Sequence, residues 1–473
     1  MKDRNQKEIN TNDRNIKAKL KSKEISTPKK VIIYGPSCSN STGLGKIIFM
    51  MAKSLQEAGH QVFTIAQWYN SHQTWYKDVP ILPDFYCETC GSANIGSQEY
   101  VQKLGDTISM IRPDYFITVG DPYQFQQYGL GMIDFKNIKV LCYTTMDSEG
   151  YFCNELVKEM GKPDFLDNCD RIISMAEYTK EQLKEWKQIN SDVIYPPILT
   201  ELYKPVSSEV KKELRKKYRV DENEFLIYIS GRNILRKRHN IAIEACCELL
   251  NETDNVTVFL NIPPSKSGNQ LYYPDGLNPV DFVARVMKQK YGRDFMTEGK
   301  LLFIEREELG STKINEEQNV EFYQIADLYV SATSGEGFSF CPAESMSCEV
   351  PIVIPDNSTG DEQINCLEAD SNSPFIIGQE GLLVDTPIHL HTDFGTMQHL
   401  CNSEDMYQAI KWMYNNPKDR IEMGKKGRQH VINNFNLNQF KENWVKIIKS
   451  TEKKVKPKQE FNKLEFENET KEE

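Results

Sequence analysis

The chain has 473 residues, 39% hydrophobic and 26% charged, with a formal net charge of −11. That length is about three times the ~150-residue prior for one domain, so two domains with added segments are expected. No run of ~18 apolar residues occurs, the start lacks an apolar secretory core, and the cysteines are too sparse for a disulfide scaffold. Membrane-spanning, fibrous and small secreted classes are thereby excluded, and the acidic balance argues against a general nucleic-acid binder. Reduced thiols in a cytoplasmic protein are the simplest expectation.

Residues 1–30 carry ten Lys/Arg against four acids, with little to anchor a core. They read as a disordered basic arm, either a solubilising tail or a peripheral contact with anionic membranes or acidic partners. The first ordered segment is an apolar run at 31–34 ending in Gly35-Pro36, then a Ser/Thr/Gly loop at 37–45. A helix follows with Ile47, Ile48, Met51 and Leu55 on one face, then Gly59, then a strand at 61–66. This is one βαβ unit. Further strands are expected at 115–119, 140–143, 172–175 and 193–195, with a helix at 179–187, which implies a mostly parallel sheet covered on both faces.

The pattern pauses at Pro196-Pro197 and Pro205 and restarts with a strand at 225–230, a basic loop, a helix at 240–250 and a strand at 256–260. Residues 261–320 read as loops around a helix at 280–290, and two more buried strands are expected at 328–331 and 352–354. A last helix, Leu437–Ser450, carries Phe440, Trp444 and Ile447 on one face. The expected fold class is therefore α/β, with two Rossmann-like doubly wound domains at 31–203 and 204–433 and a ligand cleft between their strand ends. The helix at 434–450 is expected to pack back on the first domain, followed by a charged tail at 451–473.

Two loops are suited to phosphate. Residues 37–46 (SCSNSTGLGK) lie at a strand-to-helix turn, where unpaired N–H groups and the helix dipole attract an anion. They are no P-loop: Lys46 is followed by Ile47, and the first Gly is missing. Glycines kept only for tight packing are the plain alternative. Residues 230–239 (SGRNILRKRH) place Arg232, Arg236, Lys237 and Arg238 between a strand and a helix. Solvated surface charge would explain any of them alone, but a cleft-facing strand end favours a diphosphate.

Glu336 lies in a Gly-flanked turn after a buried strand, and Glu344 follows eight positions later, expected in the first turn of a helix. Such a pair can accept hydrogen bonds from the vicinal hydroxyls of ribose or a sugar. No D-x-D occurs to clamp a metal–diphosphate, so no metal site and no cofactor are expected. The lone pair Cys87-x2-Cys90 reads as structural or incidental rather than as zinc-binding.

The segment from Asp327 to Pro351, with Glu336 and Glu344, resembles the E-x7-E signature of family-4 retaining glycosyltransferases of the GT-B fold. Gly231-Arg232 with Lys237 is similar to that family's diphosphate-binding Arg/Lys pair, and Gly43-Leu44-Gly45 to its N-terminal Gly loop. The likeness extends over about residues 31–450. It implies that Glu344 binds the donor ribose, and that Glu336 holds the transferred sugar with N–H groups of Gly337 and Phe338. It further implies that Arg232 and Lys237 neutralise the leaving diphosphate, which Gly43, Leu44 and Gly45 approach from the other domain.

The family's usual His after the strand at 140–143 is missing. The chain resembles a subgroup with an Asp there, Asp147, and a second in a Gly-Asp-Pro turn, Asp121; both are expected in the cleft. Glu349 stands where the family has Gly. The activity implied is metal-independent retaining transfer of a hexose from a UDP- or GDP-sugar to a glycan, lipid or protein hydroxyl. A catalytically silent sugar-nucleotide-binding scaffold and a GT-B nucleotide-sugar epimerase are the alternatives.

Overall fold

The computed structural model describes residues 27–39, 42–67, 74–83, 98–150, 164–262, 266–267, 270–271, 277–304, 314–366, 373–392 and 395–452. Most of the basic arm, Cys87 and Cys90, and the tail from residue 453 lie outside the described residues.

The first sheet is built on β1 (Lys30–Pro36). Its residues alternate between two cores: Val31 and Ile33 pack on one face, Ile32 and Tyr34 on the other. A strand buried on both faces has no polar side, which is why this one reads as a continuous apolar run. On one flank lie β2 (Gln61–Gln67) and the edge hairpin β3 (Trp75–Tyr76) and β4 (Val79–Pro83). On the other lie β5 (Tyr115–Gly120), β6 (Lys139–Thr144), β7 (Arg171–Ser174) and β8 (Asp192–Val193). The order is β3-β4-β2-β1-β5-β6-β7-β8, parallel except at β3–β4.

The second domain repeats the scheme around β9 (Phe225–Ser230), with Phe225, Ile227 and Ile229 in one core and Leu226 and Tyr228 in the other. Its neighbours are β10 (Val256–Asn261), the short pair β11 (Lys266–Ser267) and β12 (Gln270–Leu271) outside the main sheet, β13 (Leu301–Phe303), β14 (Leu328–Val330), β15 (Ile352–Pro355), β16 (Phe375–Ile377) and β17 (Gly381–Val384). The sheet order is β13-β10-β9-β14-β15-β17-β16. The hairpin β18 (Ile388–His391) and β19 (Met397–Leu400) stands apart from it. The helix expected at 280–290 is present, but its middle six residues, Phe282–Met287, have π geometry.

In the helix Leu437–Ser450, Phe440, Trp444, Ile447 and Ile448 are buried with Val31, Ile33 and Tyr143 of the first domain. The Tyr115 hydroxyl donates to the Ile448 carbonyl at 2.7 Å, and the Tyr143 ring meets the Trp444 edge at 5.1 Å. Glu349, where the resemblance expects Gly, keeps the left-handed turn with φ +62°. A Cβ is tolerated there at a modest cost.

Sheet order fixes where a ligand can sit. Strand order reverses between the parallel neighbours β1 and β5 and again between β9 and β14, and such switch points open crevices at the strands' carboxyl ends. The loops that leave these strands are the Gly loop after β1, Gly120-Asp121 after β5, the basic loop after β9 and the Glu336 loop after β14. Gly120 ends β5 and Gly231 follows β9, with φ +150° and +148°, turning the chain sharply into these loops. Among the described residues, no helix is long and apolar enough to cross a membrane.

Candidate active site between the two sheets

The Glu336 carboxylate is buried and gathers three donors on Oε1: Lys237 Nζ, Arg236 Nη1 at 3.0 Å and Thr333 Oγ1 at 2.9 Å. Burial alone would raise its pKa; Arg236 and Lys237 outweigh this and hold it down at about 2. Arg236 also donates from Nη1 to the Gly335 carbonyl, and its Nε meets Asp147 Oδ2 at 3.0 Å. One guanidinium therefore bridges the strand end of the first domain and the Glu336 carboxylate of the second. The basic-loop sequence gave no sign that Arg236 differs from its exposed neighbour Arg232, whose carbonyl contacts His239 Nε2 at 3.0 Å.

Contact between the two walls is tight. A Cβ added at Gly335 would stand 1.8 Å from the Asp147 carbonyl oxygen, and one at Gly337 would stand 1.6 Å from Thr145 Oγ1. These glycines are required by close approach of the other domain's backbone and side chain, not by their own φ. The Phe338 ring does not face the cleft cations. It packs with Tyr195 and Phe435 at 6.3 and 5.2 Å and so anchors the Glu336 loop to the interdomain linker.

Glu344 is on the helix Phe340–Ser347, past its first turn rather than within it, because the helix begins one residue after Ser339. Its Oε2 accepts from the buried Tyr323 hydroxyl at 3.0 Å, and its Oε1 from Lys46 Nζ at 2.8 Å. Lys46 comes from the first domain, on the helix Gly43–Glu57. At that helix start the Gly45 N–H is held by the Thr42 side chain at 3.2 Å, Leu44 packs against the core, and Gly43 faces the Phe340 ring. The Gly loop thus lies beside Glu344, with one of its amides already capped from within.

Asp121 and Asp147 follow adjacent strands, β5 and β6, whose last residues Gly120 and Thr144 are in register. Burial first, then the neighbouring Asp147, raises the Asp121 pKa to about 7, with Arg236 opposing. A carboxyl raised in the folded state contributes stability that is present below its unfolded pKa and lost as pH rises through about 7. Asp121→Asn should therefore raise the melting temperature relative to wild type, and by more at pH ~8 than at pH ~5. Equal shifts at both pH values would show that Asp121 is ionised throughout.

Two contributors have no signal in the sequence reading. One is Lys46, rejected as a P-loop lysine and not otherwise assigned. The other is the hairpin β18–β19. Glu149 and Met397 exchange backbone hydrogen bonds at 2.8 Å, and His399 Nε2 meets Glu149 Oε2 at 2.7 Å. The Ser334 hydroxyl donates to Gln398 Oε1 at 2.7 Å. The hairpin straps the Asp147 loop to the Glu336 loop. Ile388–His391 does alternate apolar and polar, but over only four residues that are all exposed, too short a run to stand out in the sequence.

No family model matches the chain, and no curated protein matches it. Solved structures do. A glycosyltransferase from Rickettsia africae ESF-5 is 14% identical with a TM-score of 0.62, covering 91% of this chain and 100% of that one. Sucrose-phosphate synthase from Thermosynechococcus elongatus is 14% identical with a TM-score of 0.65, covering 89% and 98%. Anabaena Alr3699/HepE, solved in complex with UDP-glucose, is 13% identical with a TM-score of 0.62, covering 89% and 100%. What these share with the chain is the fold: two α/β domains in the GT-B arrangement.

Proposed function

We propose that this protein is a glycosyltransferase that moves a hexose from a UDP- or GDP-sugar to an acceptor hydroxyl with retention and without a metal. The observation that carries the reading is the carboxylate pair Glu336 and Glu344, set at a switch point among the cations Arg236, Lys237 and Lys46. Glu344 takes the ribose hydroxyls. Glu336 takes those of the sugar, with Gly337 and Phe338 N–H groups beside it, and Gly43, Leu44 and Gly45 border the phosphates.

In the reaction the bond from the anomeric carbon to the diphosphate oxygen breaks, and the electron pair leaves with the diphosphate. Arg232 and Lys237 stabilise that growing charge, as fixed dipoles and cations do best in a site that needs no reorganisation. The acceptor oxygen attacks the oxocarbenium-like centre from the face the diphosphate has left, and its proton passes to a phosphate oxygen. Asp147 takes a catalytic place at the strand end of the cleft, and Asp121 beside it contacts the donor. Bound by Glu336 and flanked by Thr145 Oγ1, which is buried without a partner among the described residues, the sugar would find polar atoms on both walls. The acceptor is a glycan, lipid or protein, and the cationic surplus of residues 1–30 suits an anionic membrane surface near a lipid acceptor.

The test is a thermal-shift series with UDP- and GDP-sugars, followed by product analysis with and without acceptors. A ligand at ~100 times its dissociation constant stabilises by about 2.7 kcal/mol. A shift with one nucleotide series and acceptor-dependent product is expected. An epimerised donor, or binding with no turnover, would replace the transferase reading with one of the alternatives.

A further inference from the structure

We propose that Lys46 gates the ribose carboxylate: it occupies Glu344 in the donor-free protein and must be displaced by the incoming nucleotide. The inference rests on the reading of Glu344 as the ribose ligand. Lys46 Nζ lies 2.8 Å from Glu344 Oε1, 2.8 Å from Glu316 Oε1 and 3.3 Å from the Tyr203 hydroxyl. An ammonium has three protons to donate, and all three are committed. On the other side, Tyr323 fills Glu344 Oε2, and the Glu344 side chain is only 4% exposed. Each oxygen keeps a second lone pair, but with the side chain so buried a ribose diol reaches neither until one partner moves aside.

Of the two partners, Lys46 is the one built to move. Tyr323 is 1% exposed and its ring is locked against Tyr203, Tyr228 and Tyr329. Lys46 is a flexible four-carbon stem with 23% of its side chain open to solvent. Burial works against its charge, and Glu344 and Glu316 more than restore it, so the group is a permanent cation in this position. Leaving Glu344, it keeps Glu316 and the Tyr203 hydroxyl, and its ammonium already lies 5.5 Å from the Tyr203 ring centroid. The displaced cation is never stranded, so opening costs one contact rather than a whole ion-pair network. Because Lys46 belongs to the first domain and Glu344 to the second, ribose entry also releases a tie across the cleft.

A gate on the ribose differs from a phosphate ligand in what it discriminates. Calorimetry or ligand-observed NMR would compare UDP with uridine and GDP with guanosine on wild type, Lys46→Met and Lys46→Gln. For whichever base binds, removing the gate should tighten nucleoside and diphosphate by the same factor, roughly tenfold or 1.4 kcal/mol for Lys46→Met and less for Lys46→Gln. Lys46→Gln retains a hydrogen-bond donor toward Glu344 and decides the matter if Lys46→Met does not fold. Unchanged affinities overturn the gate. So does weaker diphosphate binding with nucleoside binding unaltered, which would make Lys46 a phosphate ligand. If none of the four compounds binds wild type or variants, the donor-site reading falls, and the gate falls with it.

Discussion

Lys237→Ala is expected to slow turnover roughly 150-fold while changing donor affinity far less. Negative charge accumulates on the diphosphate as the glycosidic bond stretches, so a fixed cation contributes more at the transition state than in the bound donor. Losing ~3 kcal/mol of that contribution gives the stated factor. In the donor-free protein Lys237 is held on the Glu336 carboxylate, which fixes its stem in the cleft before any phosphate arrives. Arg232→Ala is expected to follow the same pattern although Arg232 is exposed, because it stands on the same strand-end loop as Lys237. Glu344→Ala should act mainly on donor affinity, since ribose contacts change little during reaction. Steady-state kinetics on the single variants is the check. Wild-type turnover in both Lys237→Ala and Arg232→Ala would move the active site elsewhere.

Much of the fold was legible because both sheets are buried on two faces. Strands such as β1 and β9 are then unbroken apolar runs, with a glycine next to the end where the following loop begins. Glu336 and Glu344 were legible for a similar reason: their spacing and flanking glycines are local properties of one segment. What the sequence hides is pairing across the cleft. Nothing near Arg236 announces that Asp147 waits in the other domain, so Arg236 and Arg238 read alike in the basic loop, although Arg236 bridges Asp147 and Glu336. Lys46 is hidden in the same way, because its partners Glu316 and Glu344 lie far along the chain. The strap hairpin is hidden by composition. Its strands are only four residues each and buried by no core of their own, and its position is set by contacts with Glu149 and Ser334. Even Glu344 was placed one turn too early, because the boundary of its helix depends on where Ser339 leaves helical geometry.

Arg236→Ala should be the most destabilising single change in the cleft, at about 3–5 kcal/mol, the usual cost of removing one partner from a buried ion pair. Glu336, Asp147 and Asp121 would share the space with Lys237 as the counter-charge on Glu336. The effect carries a pH signature that a packing defect lacks. Glu336 is held down at about 2, so its contribution is present above its unfolded pKa and is lost as pH falls toward that value. Asp121 is raised to about 7 against the pull of Arg236, and loss of the guanidinium raises it further. Both changes remove stability where the carboxylates are ionised and little where they are protonated. The stability gap between wild type and variant should therefore widen as pH rises from about 4 to about 8. Arg238→Ala is the control, since among the described residues the Arg238 Nε is buried without a hydrogen-bond partner and its guanidinium makes no ion pair with Glu336 or Asp147. Urea melts of the two variants across that range read the difference directly. A gap that stays constant with pH would assign Arg236 to packing by its stem, and the charge bridge between Asp147 and Glu336 would lose its place in holding the cleft together.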